Sequence, residues 1–441
     1  MSRRCPKPLT SWLMASAGLI ALMASVRADN WPQWRGPGGQ GVSTERALPL
    51  EWAADRNIAW KTELPGSGVS SPIVWGDRIF VTAVVEGEAV PGAKAVGHTV
   101  EGKEWVHPAS VAGDKRHAFK LMALDARTGR ILWVQTPYDG TVYDARHSRS
   151  SFAGPTPVTD GENVYAYFGP EGLYAYDFNG RLVWKVVEKF PTLGLGTGTS
   201  PVLFANLVII QRDEDTGANS HIVAYDKKTG KEAWRTKRNV EISWGTPVIV
   251  AAAGRQELVA IGNEATIAYD PASGKELWRT RGVESNAIHT PLVGDGIVIV
   301  TAGYPAKRVL AIRPGQVSDQ ERIAWEYSKG TGYVVSNILY GPYVYLLTDS
   351  GIVTCLDPKT GRVLYEGGRL PKPAKFMGSP VAFGGYIAMT SEDGETFMLK
   401  AGPAHAIERT NSIDEPVYSS PALADGRIYI RAQKHLFAIG S

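Results

Sequence analysis

One eleven-residue phrase recurs along the chain and constrains its fold more than any other feature. It reads ALDARTGRILW from Ala123, AYDKKTGKEAW from Ala224 and AYDPASGKELW from Ala268, with a shorter copy, AYDFNGRLVW, from Ala175. Copies of one phrase at a near-constant period are the sequence sign of a repeat architecture, in which similar units bury a shared core. We therefore expect one array of similar units.

A second marker gives the number of units. A Ser-Pro or Thr-Pro pair, replaced once by SNIL, opens a short β-branched run at intervals of 41 to 46 residues, after a first interval of 85. The openings fall at Pro72, Pro157, Pro201, Pro247, Pro291, Asn337, Pro380 and Pro421. Short alternating apolar runs between Gly, Asn and Asp are typical of strands joined by hairpin turns. The pattern predicts an all-β fold, an eight-bladed β-propeller of four-stranded antiparallel blades.

The two ends of the predicted ring complete each other. The last unit ends after three strands at HLFAIGS, and NIAWKTEL from Asn57 supplies an unassigned strand. We expect these segments to pair, since closure of the ring removes open sheet edges. The propeller would then span 57–441, with an insertion at about 85–117, after an N-terminal arm at 29–56. Trp31, Trp34 and Trp52 of the arm could form a binding stripe, but we expect them to pack the arm against the ring.

The recurring phrase has a structural interpretation. In AYDKKTGKEAW, Asp226 can accept hydrogen bonds from turn amides, Gly230 can supply a positive φ, and Trp234 can dock between blades. A role repeated around a ring is structural, because function lies in sites added to a fold. The predicted docking residues are Trp60, Trp133, Trp184, Trp234, Trp278 and Trp325, with Asp125, Asp177, Asp226, Asp270 and Asp357.

The N-terminus predicts export. Arg3, Arg4 and Lys7 precede an apolar run over 12–26 and the small-residue pattern around Ala28, as in a cleavable secretory signal. We take 1–28 as a signal peptide and expect a periplasmic or extracellular protein. No later stretch is long enough to span a membrane, and no cysteine follows the apolar run to carry a lipid. We expect a monomer with neither a membrane span nor a lipid anchor.

Charge and cysteine content narrow the class of protein. The formal net charge is +3, and the four basic residues of 1–28, with no acid beside them, leave −1 for the rest. A near-neutral chain without a basic stripe argues against a nucleic-acid partner. Cys355 is the only cysteine after the signal, so no internal disulfide is available. We expect it to be a small buried apolar residue on a strand.

The phrase A-x-D-x-x-T-G-x-x-x-W resembles the tryptophan-docking motif of the pyrroloquinoline-quinone-like (PQQ-like) propeller family, across nearly all of the mature chain. The opening NWPQWRGPGGQGVS is similar to that of the exported, non-lipidated members. The family contains quinoprotein dehydrogenases and non-enzymatic scaffolds such as the outer-membrane assembly factor BamB. The resemblance therefore implies either an enzyme using PQQ and Ca²⁺ at the central mouth or a protein that binds other proteins.

Departures from the enzyme pattern decide our preference. Many quinoprotein dehydrogenases stack the quinone between a Trp and a disulfide of adjacent cysteines, and hold Ca²⁺ with Glu, Asn and Asp. Adjacent cysteines are absent here, and no motif places the Ca²⁺ ligands. We predict a non-enzymatic scaffold for protein or peptide partners in the cell envelope, without a cofactor. The alternative is a dehydrogenase using PQQ and calcium.

A candidate ligand site follows from propeller geometry. Loops after the fourth strand, and between the second and third strands, gather on one face of a propeller. The predicted mouth residues are Arg149, Trp244, His289, Tyr333, Lys375 and Tyr418. Aromatic walls with cations could hold an acidic small molecule or an extended peptide, or the loops could simply plug the channel.

Two clusters of metal-ligand residue types receive structural interpretations. Asp213, Glu214 and Asp215 could hold Ca²⁺, but their spacing fits no EF-hand loop, and we expect a solvated hairpin tip. His98, His107 and His117 of the insertion lack an H-E-x-x-H motif or paired cysteines, which disfavours zinc. The insertion is expected to be a surface hairpin and, as the chief departure from the repeat, the surface for partner contact.

Overall fold

The computed structural model describes Met1 and residues 30–100, 102–284 and 286–440. The predicted signal peptide, apart from Met1, lies outside the described residues. Eight four-stranded antiparallel sheets form a ring, which confirms the predicted eight-bladed propeller. We number the blades along the chain and their strands from the innermost to the outermost.

The strands of the first four blades follow the chain in order. Blade 1 contains Ile73–Trp75, Arg78–Ala89, Lys115–Asp125 and Ile131–Thr141. Blade 2 contains Val158–Thr159, Asn163–Tyr167, Leu173–Asp177 and Leu182–Val186. Blade 3 contains Val202–Phe204, Leu207–Arg212, His221–Asp226 and Glu232–Lys237. Blade 4 contains Val248–Ala252, Arg255–Ile261, Ala265–Tyr269 and Glu276–Arg281.

The last four blades repeat the arrangement. Blade 5 contains Leu292–Gly294, Ile297–Ala302, Arg308–Ile312 and Ile323–Tyr327. Blade 6 contains Ile338–Tyr340, Tyr343–Leu347, Val353–Leu356 and Val363–Gly368. Blade 7 contains Val381–Phe383, Tyr386–Thr390, Glu395–Lys400 and Ile407–Ser412. Blade 8 contains Ala422–Ala424, Arg427–Arg431, His435–Ile439 and Ile58–Glu63.

Blade 8 closes the ring. Its outermost strand, Ile58–Glu63, comes from the start of the chain and pairs antiparallel with His435–Ile439. The predicted pairing of the two ends is therefore confirmed. The apolar core lies between the faces of neighbouring blades; Tyr165 and Tyr167 of blade 2, for example, share one buried cluster with Val208 and Ile210 of blade 3. Burial of these faces on both sides explains why the middle strands are continuous apolar runs.

The Ser/Thr-Pro marker of the repeat forms a ring of hydrogen bonds, which we call the hydroxyl ring. At seven blade junctions of the described chain, the amide of the residue before the proline, or its equivalent, donates to the corresponding hydroxyl of the next blade, at 2.8 to 3.1 Å. The donor and acceptor pairs are Ser71 and Thr156, Thr156 and Ser200, Ser200 and Thr246, Thr290 and Ser336, Ser336 and Ser379, Ser379 and Ser420, and Ser420 and Ser71. The Thr290 hydroxyl accepts from Nε1 of Trp34 at 2.7 Å.

Most of the predicted docking tryptophans contact the turn between the third and fourth strands of the next blade. The indole Nε1 atoms of Trp60, Trp133, Trp184 and Trp325 donate to the carbonyl oxygens of Ala126, Phe178, Lys227 and Pro358, respectively, at 2.7 to 3.1 Å. A Cβ on Gly274 would lie 2.4 Å from the Trp234 ring. Trp278 differs, since its Nε1 donates to Glu257 at 2.7 Å and its ring lies under the Arg322 guanidinium. That these contacts stabilise the ring stays a prediction.

The predicted docking aspartates shape the same turns. Their carboxylates accept from turn amides two or three residues ahead, at 2.8 to 3.1 Å, in Asp125, Asp177, Asp226, Asp270 and Asp357. Such side-chain bonds to nearby amides are the reason that Asp favours turns.

The N-terminal arm crosses the central channel. Trp31 forms a bridge with Val74 of blade 1, and Val42 with Ala382 of blade 7. The Gln40 side chain accepts from the Val293 amide of blade 5 at 2.8 Å. Since these partners belong to inner strands on different sides of the ring, the arm spans and covers one end of the channel.

Two tryptophans of the arm are buried against the ring. Trp31 and Trp52 are 1% and 2% exposed. The Trp52 amide donates to the Asn411 side chain of blade 7 at 3.1 Å. Both indoles therefore pack the arm in place and offer no surface to a ligand.

The insertion begins as an extension of blade 1. The strands Arg78–Ala89 and Lys115–Asp125 stay paired from Arg78 out to Ala89. Beyond them lie a hairpin of His98–Val100 and Lys103–Trp105, and the strand Ser110–Val111, which pairs with Arg146–His147. Within residues 30–100, 102–284 and 286–440, helical structure is limited to Asp319–Arg322 and two 3-10 turns, Pro37–Gly39 and Gly169–Glu171. None of the described helices has the length or the apolarity to span a bilayer.

Candidate functional site

A cavity of about 870 Å³ opens at the channel mouth. It is built by the loops that lead into the inner strands and by those between the second and third strands. Its apolar walls include Trp244, Tyr333, Phe376 and Tyr418, while Arg149, Lys307 and Lys375 supply cations. Six hydroxyls of the hydroxyl ring also line the cavity, from Thr156, Ser200, Thr246, Thr290, Ser336 and Ser379.

Trp34 of the arm lines this cavity. The same residue lines a smaller cavity of about 390 Å³, between the arm and the inner strands of blades 3 and 4. Thr246 and Thr290 also border both cavities, so the two cavities adjoin where the arm meets the inner strands.

Five of the six predicted mouth residues line the cavity, namely Arg149, Trp244, Tyr333, Lys375 and Tyr418. His289 does not, because it is buried behind the wall at 1% exposure. Its ring nitrogens lie 2.6 Å from the Thr301 hydroxyl and 3.1 Å from the Tyr333 carbonyl. Burial lowers the pKa of His289 to about 4, so the ring is neutral at pH 7 and supports the loop that carries Tyr333.

Among the lining residues that the six predicted positions do not include are Trp34, Lys307 and Phe376. Lys307 follows GYPA between the second and third strands of blade 5, a loop type that faces the mouth, so its position was a usable signal. The position of Trp34 depends on the path of the arm, which contacts blades far away in sequence and leaves no local pattern.

The acidic side chains at the mouth have hydrogen-bond or ion-pair partners in the described chain, whereas two of the lysines there do not. The Asp349 carboxylate accepts from the amides of Tyr333 at 2.6 Å and Val334 at 3.2 Å. Glu392 accepts from the Arg149 guanidinium at 2.6 Å. Within the described residues, the ammonium groups of Lys307 and Lys375 have neither a hydrogen-bond nor an ion-pair partner. The mouth therefore offers two exposed, unpaired cations beside two committed carboxylates.

The acidic cluster at 213–215 does not form one site. Asp213 pairs with Arg238 at 2.8 Å, with both side chains fully buried. Glu214 accepts from the Asn219 amide at 2.8 Å, and Asp215 contacts His98 at 2.6 Å. The expected solvated hairpin tip is wrong, because each carboxylate is turned inward to a different partner.

The three histidines of the insertion are also separated. His98 lies between two carboxylates, with its ring nitrogens 2.6 Å from Asp215 and 2.9 Å from Asp144. His107 packs near the His147 ring, and His117 packs against Phe152. In the part of the chain that the structure describes, no three His, Cys, Asp or Glu side chains are grouped to hold a metal ion.

Burial and hydrogen bonding act in opposite directions on His98. Burial disfavours its charge, but the hydrogen bonds to Asp144 and Asp215 outweigh burial and raise the pKa of His98 to about 9. The imidazolium joins the insertion to the loop between blades 1 and 2 and to blade 3. We call this contact the His98 latch.

The insertion carries an unusual share of exposed apolar surface. Of the twelve exposed large apolar side chains in the described part of residues 30–440, six lie in it. They are Val85, Val90, Val100, Trp105, Val106 and Val111, and Val106 is the most exposed of them at 71%.

Cys355 is fully buried on the third strand of blade 6. Burial raises the pKa of its thiol to about 12, so the reactive thiolate is disfavoured. It lies away from the mouth lining and supplies no cysteine pair there.

Comparison with known proteins identifies relatives over most of the chain. The family model described as outer membrane protein assembly factor BamB matches residues 118–216 and 218–375. A curated relative, outer membrane protein assembly factor BamB of Yersinia pestis, is 22% identical over 342 residues, which are 75% of this chain and 81% of the relative.

Solved structures show the same fold. BamB from Moraxella catarrhalis matches with a TM-score of 0.55 at 15% identity, over 81% of this chain and 98% of that chain. Quinohemoprotein alcohol dehydrogenase from Comamonas testosteroni matches with a TM-score of 0.59 at 14% identity, over 94% of this chain and 81% of that chain. At these identities the likeness shows the fold alone, so the choice between binding and catalysis depends on the site.

Proposed function

Because the chain belongs to the BamB family of PQQ-like β-propellers, we propose that it is a scaffold that binds a protein partner in the cell envelope. The proposal includes export through residues 1–28, a periplasmic or extracellular location and a monomeric state. The names of the relatives, outer membrane protein assembly factors, support an envelope partner.

The concentration of exposed apolar side chains on the insertion carries this proposal. Exposed apolar side chains that are concentrated in one segment of a folded protein indicate a candidate interaction site. Trp105 and Val106 lie at the end of the small hairpin, and Trp is enriched among residues that dominate binding energy. The insertion therefore has an anchor suited to a pocket on a protein partner.

The insertion is also held in place, which favours binding. The His98 latch fixes its hairpin to Asp144 and Asp215, and Ser110–Val111 pairs with Arg146–His147. A surface that is already ordered loses little conformational entropy when the partner binds.

The dehydrogenase alternative receives less support from the mouth. Calcium prefers six to eight oxygen ligands. The two carboxylates that line the cavity are committed to main-chain amides and to Arg149. Cys355 is buried in blade 6 and cannot provide adjacent cysteines. The residues present do not fit a calcium-bound quinone, and we derive no chemistry from one.

The test is recovery of a partner that depends on Trp105 and Val106. Tagged wild-type protein and Trp105→Ser/Val106→Ser would be purified from the native envelope, with Val134→Ser/Val363→Ser as the matched control. Val134 and Val363 are exposed on the outer strands of blades 1 and 6. We expect one envelope protein to be enriched with the wild type and the control, but not with the insertion variant.

Direct binding then separates contact from co-purification. The purified partner should bind the insertion variant about 30-fold more weakly than the wild type, the loss typical of an aromatic hot spot. Equal affinity for both proteins, or no enriched partner, would overturn the proposal. Thermal unfolding of both variants shows whether the fold is retained.

A further inference from the structure

We propose that the channel mouth is a second binding site, for an acidic peptide segment whose apolar side chain enters the cavity. Carboxylates on either side of that side chain would pair with Lys307 and Lys375. This site borders the strand Arg146–His147, which pairs with the insertion, but it does not include the exposed apolar side chains of the insertion. The inference does not depend on the partner contact proposed above.

Charge selects an anionic ligand. Arg149 neutralises Glu392, and the Tyr333 and Val334 amides stabilise Asp349, so the mouth carboxylates are already satisfied. Lys307 and Lys375 are exposed at the cavity and unpaired within the described chain. Two acidic side chains of a ligand could therefore each pair with one of these lysines.

The hydroxyl ring adds polar groups beside the apolar walls. Five side chains of the ring that line the cavity accept a main-chain amide of the preceding blade, namely Thr156, Ser200, Thr246, Ser336 and Ser379. These side chains are 1 to 6% exposed. Among the described residues, the exposed charges that a ligand meets unpaired at the mouth are therefore the two lysines.

Shape separates the apolar and charged parts of the ligand. Trp244, Tyr333, Phe376 and Tyr418 form the walls, and Trp34 of the arm also lines the cavity. Because the arm covers one end of the channel, the ligand segment would enter from the mouth. An aromatic side chain fits between the walls, while its acidic neighbours stay with the lysines in water. The volume of about 870 Å³ has room for a few residues.

Calorimetric titration with two synthetic peptides tests the proposal. The probe is Asp-Asp-Phe-Asp-Asp, acetylated and amidated, and its counterpart replaces every Asp with Asn. The protein is the mature chain, as wild type, as Lys307→Glu/Lys375→Glu and as the control Lys228→Glu/Lys359→Glu. Lys228 and Lys359 are exposed in turns between third and fourth strands and outside the mouth, so the control makes the same change of charge.

The expected result is saturable binding of the acidic peptide by the wild type and the control. Binding should weaken at least about tenfold with the Asn peptide and with the mouth variant, and weaken as salt rises. Absence of binding, or equal affinity of the mouth variant and the control, would overturn the proposal. If the insertion variant Trp105→Ser/Val106→Ser keeps the peptide but loses the protein partner, the two sites are independent, as proposed.

Discussion

At the scale of single residues, the His98 latch is the clearest case of chemistry that sequence spacing does not reveal. His98 is buried, yet it contacts two carboxylates that are 46 and 117 residues away. Asp144 also accepts from the Thr192 amide at 2.6 Å, which fixes its position. A buried cation is tolerated when opposite charges and hydrogen bonds surround it.

The His98 latch predicts stability that depends on pH. Since the folded pKa of about 9 exceeds the ordinary 6.5, protonated His98 stabilises the fold. This contribution, on the order of 3 kcal/mol, is fully present below about pH 6.5 and is lost as the pH rises through about 9. In urea unfolding, the stability difference between wild type and His98→Gln should therefore be large at about pH 6 and small at about pH 10.

The control for this prediction is His107→Gln, in the same insertion and packed near His147. This substitution removes an imidazole that has no carboxylate partner within the described residues, so it controls for the loss of ring packing alone. A His98→Gln difference that is constant with pH would show that folding does not raise the pKa of His98.

At the scale of elements, the recurring phrase explains why each turn has a glycine. Gly230 has a φ of 68°, and a Cβ added to it would lie 2.7 Å from the Trp184 ring. Gly129, Gly180 and Gly361 stand in the same relation to Trp60, Trp133 and Trp325. The glycine therefore serves both the turn conformation and the close approach of the indole.

Gly230→Ala separates these two effects when it is compared with Gly254→Ala. Gly254 has a similar φ of 77°, but nothing lies within 4 Å of its added Cβ. We expect Gly254→Ala to cost about 1 kcal/mol for the left-handed conformation. Gly230→Ala should cost a further ~1–3 kcal/mol because the Cβ displaces the indole. Equal losses in the free energy of unfolding would mean that the indole contact adds nothing.

The contacts of Trp278 differ from those of the other docking tryptophans, although its sequence matches the repeat. Trp278 ends a close copy of the phrase, yet its indole contacts Glu257 of its own blade and Arg322 of the next. The long stretch before Trp325 carries the short helix Asp319–Arg322, which places that arginine. A change in one blade thus alters the docking contact of its neighbour.

At the scale of the whole molecule, two sets of hydrogen bonds connect the blades into a ring. The pairing of Ile58–Glu63 with His435–Ile439 closes it at the outside, and the hydroxyl ring links the inner strands. Seven of these hydroxyls in the described chain accept a main-chain amide of the preceding blade, which explains why the marker residue is Ser or Thr.

Ser200→Ala tests the hydroxyl ring. In the wild type the Thr156 amide donates to the Ser200 hydroxyl at 3.0 Å. The substitution would leave this amide without an acceptor. We expect a loss of about 1–3 kcal/mol in the free energy of unfolding, the cost of an unsatisfied buried donor. The control Ser273→Ala, in an exposed turn, should cost no more than about 0.5 kcal/mol. A Ser200→Ala loss as small as that of the control would contradict the structural role of the ring.

The sequence predicted the blades well because a repeat multiplies a weak local signal. The number of blades, their strands and the closing pair all follow from spacing. The path of the arm did not, since Trp31, Gln40 and Val42 meet partners in three different blades. Loop positions located most mouth residues, but they could not show that His289 turns inward, because that direction depends on packing around it.

Contact between the insertion and a protein partner can be observed by site-specific photocrosslinking in the native envelope. A photoreactive amino acid would replace Val106, and Val363 on blade 6 would be the control position. If the insertion is the binding surface, position 106 gives one discrete adduct that is absent from position 363. No adduct at position 106, or the same adducts at both positions, would overturn the proposed partner contact.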